Sequence, residues 1–176
     1  MDFTKYSNIN KKVKKFGGVK KALFNSERLE EAEKSWEQFL PEELEIIDKE
    51  FPTALQVFSS VITSKALCVY DAHTFTAIPV KDILWVYCDI LTQKLNFIPY
   101  SKIHSIMLLA RDGKRYNIGS MTTGGFTKKM PANEKIEQIH KFLEQYRKGI
   151  VYGYDNDLYQ MFSLNFGKAI EMLDKM

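Results

Sequence analysis

Apolar positions recur at helical spacing towards both ends of the chain and alternate in strand fashion between them. Ile9, Val13, Phe16 and Leu23 follow at steps of four, three and seven, one face of a helix, with most lysines on the other face. Asn8 or Asn10 could cap that helix. Gly17–Gly18 weakens its middle by about 1 kcal/mol per glycine relative to alanine and leaves room for a break. Asn25–Ser26 offers a second cap, followed by a stripe of Leu29, Ala32, Trp36, Phe39 and Leu40. Pro41 suits the first position of a third helix, and Glu42 and Glu43 complement its dipole. Leu44 and Ile47 carry its apolar face to about Phe51, and Pro52 ends it.

After Pro52 the chain becomes rich in β-formers. "ALQVFSSVI" reads as a strand, "TSK" as a turn and "ALCVYD" as a second strand. "AHT" turns the chain, "FTAIPV" is a third strand, "KD" a step, and "ILWVYCDIL" a fourth. "TQKLNFIPYS" is ambiguous, because Pro99 demotes part of it to an edge or a loop. "KIHSIMLLA" is a strand, Asp112–Gly113 a hairpin signal, and "RYNIGS" the returning strand. "MTTGGFTKKM" is a polar loop. Pro131 and Asn133 open a helix in which Ile136, Ile139, His140, Leu143 and Tyr146 share a face. "KGIVYGY" is a short extended link. Asp155 caps a last helix carrying Leu158, Phe162, Phe166, Ile170 and Leu173.

Helices, then six or seven sequential strands, then helices describe an α+β fold with segregated layers, not a doubly wound one. The expected organisation is an N-terminal helical segment at 1–52, a β domain with its capping helix at 53–148, and a C-terminal helix at 149–176 packed on that domain.

Charge refines this picture more than composition does. The 176 residues are 45% apolar and 27% charged, ordinary for a globular protein, and rather rich in aromatics at 13%. The net charge of +3 hides a division: residues 1–24 carry seven lysines and one acid, whereas residues 25–50 carry ten acids and three basic residues. The two blocks could neutralise each other as packed neighbours, or the basic face could meet an anionic partner. No apolar run approaches the ~20 residues of a transmembrane helix. The first residues lack the apolar stretch of a secretory signal, so a cytoplasmic location is expected.

Some of these segments resemble a known family. A meander followed by a helix is the layout of pleckstrin-homology-like (PH-like) domains. "FTAIPVKDILWVY" resembles the step between two strands in bacterial domains of this type. "NFIPYSKIHSIMLLARDGKRYNI" is similar to the paired strands that follow, and "GIVYGYDNDLYQMF" to the ending of one uncharacterised bacterial family. The similarity covers about Leu55 to Phe166. It implies a PH-like antiparallel sheet or barrel of six to seven strands capped by a C-terminal helix, with N-terminal helices added. It carries over no catalytic residue, and the acidic stretch at 26–50 departs from the pattern.

Trp85 and Tyr87, two apart on one strand, share a face. They read either as core or as an aromatic recognition patch. Chemistry is harder to find. Cys68 and Cys88 form no CxxC pair and suit two reduced, buried thiols. His73, His104 and His140 fall on a turn, a strand and a helix, with no partner at metal-ligand spacing. Asp71, Asp82 and Asp89 are scattered over strand ends. "GSMTTGGFTKK" lacks the spacing of a phosphate loop, and no nucleophile elbow is present. One arginine precedes residue 111, which argues against nucleic acid.

The sequence therefore points to a non-enzymatic interaction module without a cofactor or metal, working by protein binding or self-association. Leu95, Phe97 and Ile98 are the candidate surface, together with the groove beside the Ile136–Tyr146 helix. An alternative is attachment to anionic lipid through Lys11, Lys12, Lys14 and Lys15. A second alternative is an enzyme whose site is assembled from scattered residues.

Overall fold

The computed structural model describes residues 2–15, 26–71, 74–128 and 130–174. The Gly17–Gly18 break, Phe16, Leu23, the Asn25 cap and the His73 turn lie outside these residues. The chain divides into two compact units, Met1–Lys81 and Asp82–Met176. That division falls inside the segment 53–148 expected to form one β domain.

In the first unit, three helices, α1 (Ser7–Lys15), α2 (Ser26–Glu37) and α3 (Pro41–Glu50), precede four short strands. These are β1 (Leu55–Val57), β2 (Ser60–Ile62), β3 (Ala66–Asp71) and β4 (Thr74–Pro79), an antiparallel meander in chain order. "ALQVFSSVI" is thus not one strand. Phe58 turns left-handed (φ 56°) and folds the segment into a hairpin closed by Val57 and Ser60.

Asn8 and Asn10 lie inside α1 rather than capping it. The start of α1 is held from α3, because Asp48 accepts hydrogen bonds from the Asn8 and Ile9 amides, both at 2.8 Å. Pro41 opens α3 as expected, and the Glu43 carboxylate accepts from the Leu40 amide at 3.0 Å. Trp36, Ile9, Ile47 and Phe75 fill the core. Leu40, expected in the apolar stripe, is exposed. The Trp36 indole donates to the Phe75 carbonyl at 2.9 Å, and the Ala77 amide donates to the Ser35 hydroxyl at 3.0 Å. Helix α2 therefore covers the free edge of β4, where unpaired backbone groups would otherwise be left open.

The 3₁₀ turn Val80–Asp82 joins the units. The second unit contains β5 (Ile83–Leu95), β6 (Ile98–Ala110), β7 (Arg115–Gly124), α4 (Pro131–Leu143), β8 (Val151–Tyr152), α5 (Asn156–Leu164) and α6 (Phe166–Leu173). Its sheet runs β7-β6-β5-β8. The eight strands thus form two four-stranded sheets, and the fold is α+β without the single sheet or closed barrel expected.

Three other expectations change here. The ambiguous "TQKLNFIPYS" is a hairpin: Leu95 pairs with Ile98 across the two-residue turn Asn96–Phe97. Pro99 sits in β6, an inner strand, but beside a bulge at Gln93/Lys94 near the strand's end, where a missing donor is tolerated. "KGIVYGY" supplies a real strand, because β8 pairs in parallel with β5 at Trp85–Val151 and Val86–Tyr152. The last helix breaks at Asn165, which ends α5 and caps α6 by accepting from the Lys168 amide at 3.1 Å.

Trp85 and Tyr87 are buried in the core with Leu109, Phe162, Ala169 and Leu173. The recognition-patch reading of this pair is therefore set aside. Arg111 pairs with Asp174 just beyond α6, and the Arg115 guanidinium lies 4.7 Å above the Tyr159 ring. Among the described residues no helix is long and apolar enough to cross a membrane.

Candidate functional site

The second unit holds an open groove of about 820 Å³, in the range of ligand sites in proteins. Cys88, Asp89 and Ile90 of β5 form one side, α4 contributes Ile136, Glu137 and His140, and Tyr152–Tyr154 form the end. Helix α4 buries Ile136, Ile139 and Leu143, as its spacing predicts, and packs against β5 and β6. His140 is left half-buried at the groove, and Tyr146 lies past the helix end and is half-exposed.

Polar side chains also line the groove, namely Asp89, Asn133, Glu137, His140, Tyr152 and Tyr154. The His140 ring stacks on Tyr152 with centroids 4.2 Å apart and planes at 25°. Glu137 and Glu144 flank that ring at 3.9 and 3.7 Å. The Tyr152 hydroxyl is buried and finds no hydrogen-bond partner among the described residues. Burial first, and Glu144 second, push its phenol pKa up. The group therefore keeps its proton at neutral pH and stands as an uncharged donor.

The backbone of β5 adds a second element. Val86 accepts from the Gly153 amide at 2.9 Å, so its peptide groups point to the β8 side. The register with β6 is continuous from Trp85 to Gln93. By alternation Cys88, Ile90 and Thr92 also present their amides and carbonyls to that side. Pairing with β8 stops at Val86, so β5 runs on for nine residues with its outer edge open among the described residues.

The binding candidates from the sequence fall in two places. Leu95, Phe97 and Ile98 come together, exposed, at the tip of the β5–β6 hairpin. On α1, Lys11 and Lys14 are exposed, Lys12 is half-buried and Lys15 is the last residue. Helix α1 packs against acidic α3, and Asp48 accepts from its Asn8 and Ile9 backbone amides. The chemistry-bearing residues stay apart. Cys68 and Cys88 are both buried and unbridged, and burial pushes both thiols up, away from the reactive thiolate. His104 is fully buried, with Nε2 2.9 Å from the Thr123 hydroxyl and Nδ1 without a partner among the described residues. Asp89 lies in the middle of β5 rather than at a strand end. Among the described residues no three His, Cys, Asp or Glu side chains gather as metal ligands.

Tyr152 and the open edge of β5 were not legible as a site. The only sequence signal was the pair of β-formers Val151 and Tyr152 inside a segment that reads as a link. No family model, no curated protein and no solved structure matches the chain.

Proposed function

We propose that the chain is an interaction module that accepts an extended segment of a protein partner as a further strand on β5. The carrying observation is that β8 covers β5 only to Val86, whereas the strand continues to Leu95. An added strand would satisfy the outward peptide groups of Cys88, Ile90 and Thr92, and main-chain bonds of this kind supply affinity. The groove then receives alternate side chains of the guest. Met130 offers apolar contact there, and the exposed Asn133 and Glu137 offer polar groups.

The order of elements supports a PH-like reading of the fold. Four antiparallel strands are followed by three more and then by a helix, α4. A non-enzymatic role is part of the same reading, as is a cytoplasmic setting, and the two inert thiols suit both.

The test is selection of binders from a displayed library of short unstructured peptides against the full chain, followed by Ile90→Pro. Proline removes the outward amide of Ile90 while leaving pairing with β6 intact, because an outward N–H is the one a strand edge can lose. Selected peptides should bind at least tenfold more weakly to Ile90→Pro, with the unfolding midpoint little changed. Undiminished binding would rule out strand addition at this edge.

A further inference from the structure

Beyond Cys88 the β5–β6 hairpin carries apolar side chains that the fold does not use. Phe97 is 95% exposed and Phe126 77%, and Leu91, Leu95, Ile98 and Tyr100 are each more than half exposed. The turn itself holds an unfavourable residue. Asn96 and Phe97 have φ of 47° and 67°, the left-handed pair that a two-residue hairpin needs and that Asn-Gly fills best. A bulky side chain at the second position is strained and here gains no packing in return.

Phe126 is fastened to the same end. The Gly125 amide donates to the Tyr100 carbonyl at 3.0 Å, and Lys102 Nζ donates to the Thr127 carbonyl at 2.9 Å. A Cβ on Gly125 would lie 2.3 Å from the Pro99 carbonyl oxygen, so the end of β7 is pressed directly against the hairpin. The charged residues along the hairpin beyond Asp89 and at the end of β7 have one sign. Lys94 and Lys128 are exposed. No acid occurs from Ile90 to Arg111 or from Gly113 to Asn133. Asp89, the nearest acid along the strand, sits where the exposed half begins.

We infer that this tip anchors the protein in the interface of an anionic lipid bilayer. Phe97, Leu95, Ile98 and Phe126 enter the boundary between headgroups and acyl chains, and Lys94 and Lys128 meet lipid phosphates. Apolar side chains backed by lysines fit that interface. The single sign of charge selects an anionic surface over an uncharged partner. The anchor shares the far end of β5, at Lys94 and Leu95, with that strand's open edge, but strand addition rests on Cys88, Ile90 and Thr92, so neither proposal depends on the other.

The test is co-sedimentation of the full chain with vesicles of phosphatidylserine and phosphatidylcholine, beside vesicles of phosphatidylcholine alone. Binding is expected on the anionic vesicles, weakening steeply with salt. Phe97→Asp and the pair Lys94→Glu/Lys128→Glu should each reduce it at least tenfold. Phe97→Gly should do the same while keeping the fold, since it installs the favoured turn. In Phe97→Trp the indole emission should shift to the blue when anionic vesicles are added. No binding, or binding unchanged in the Phe97 variants, overturns the inference. So does binding lost in Lys11→Glu/Lys14→Glu but kept in Phe97→Asp, which would assign the contact to α1. A dimer that forms without vesicles and dissolves in Phe97→Asp also overturns it, because the tip would then be a protein interface. Peptide capture by Ile90→Pro, read separately, leaves the two proposals distinguishable.

Discussion

The Trp85 indole donates a hydrogen bond to the Gly153 carbonyl at 2.7 Å, so the side chain at the centre of the second core also fastens the strand that closes its sheet. Trp85→Ala should cost about 3–5 kcal/mol, as expected for a buried large aromatic. Trp85→Phe keeps most of the volume but strands the carbonyl, and should cost about 1–3 kcal/mol. Urea unfolding of both variants checks this; a loss within about 0.5 kcal/mol for the alanine variant would contradict the burial.

Two adjacent glycines should respond differently to the same change. Gly125→Ala drives a methyl into the Pro99 backbone and should cost about 1–3 kcal/mol, the usual range for overpacking. Gly124→Ala meets nothing within 4 Å and should stay within about 0.5 kcal/mol. Thermal unfolding of the pair makes the comparison.

Asp48 stands at the start of α1, where it neutralises two amides and complements the helix dipole. Asp48→Ala should destabilise the first unit by about 1–3 kcal/mol. Asp48→Asn, which keeps one acceptor, should cost less. Loss of amide protection over Ile9–Val13 in hydrogen exchange, before any loss in β3, would locate the effect in α1.

The Arg111 hydrogen bond holds the Asp174 carboxyl below its ordinary pKa of 3.8. A depressed folded value means that the pair's stabilisation is present above the ordinary value and disappears as pH falls through the folded one. Both side chains are partly exposed, so the effect is small. Asp174→Asn should flatten the stability profile below the ordinary carboxylate value and leave its slope near neutrality unchanged, as measured by urea titration at stepped pH.

Elements set by local chemistry were readable from the residues. Pro41 with its following glutamates gave α3, the short run of β-formers in "ALCVYD" gave β3, and Asp112–Gly113 gave the turn before β7, where Gly113 has φ 79°. The errors fall where tertiary context overrides propensity. Phe58 and Phe97 adopt left-handed backbone, a role that sequence rules reserve for glycine and asparagine, so two hairpins went unread. Asn165 breaks a continuous apolar stripe through its own backbone angles. The two-residue strand β8 is too short to show a period, and its place on β5 comes from a distant partner. For the same reason the candidate site was only half legible. The apolar tip could be named from its residues, but the open strand edge exists only once β8 has docked and stopped short.

The docking of β8 also sets a kinetic order. Trp85 and Gly153 are 68 positions apart, whereas the β5–β6 and β6–β7 pairs close over turns of two and four residues. The loss of chain entropy grows with the length of the loop closed, so both hairpins can zip before β8 arrives. Having only two paired residues, β8 is also the first part of that sheet to let go. It works as a latch: last to engage, first to release, and in the strand addition proposed above each release would lengthen the stretch of β5 open to a partner.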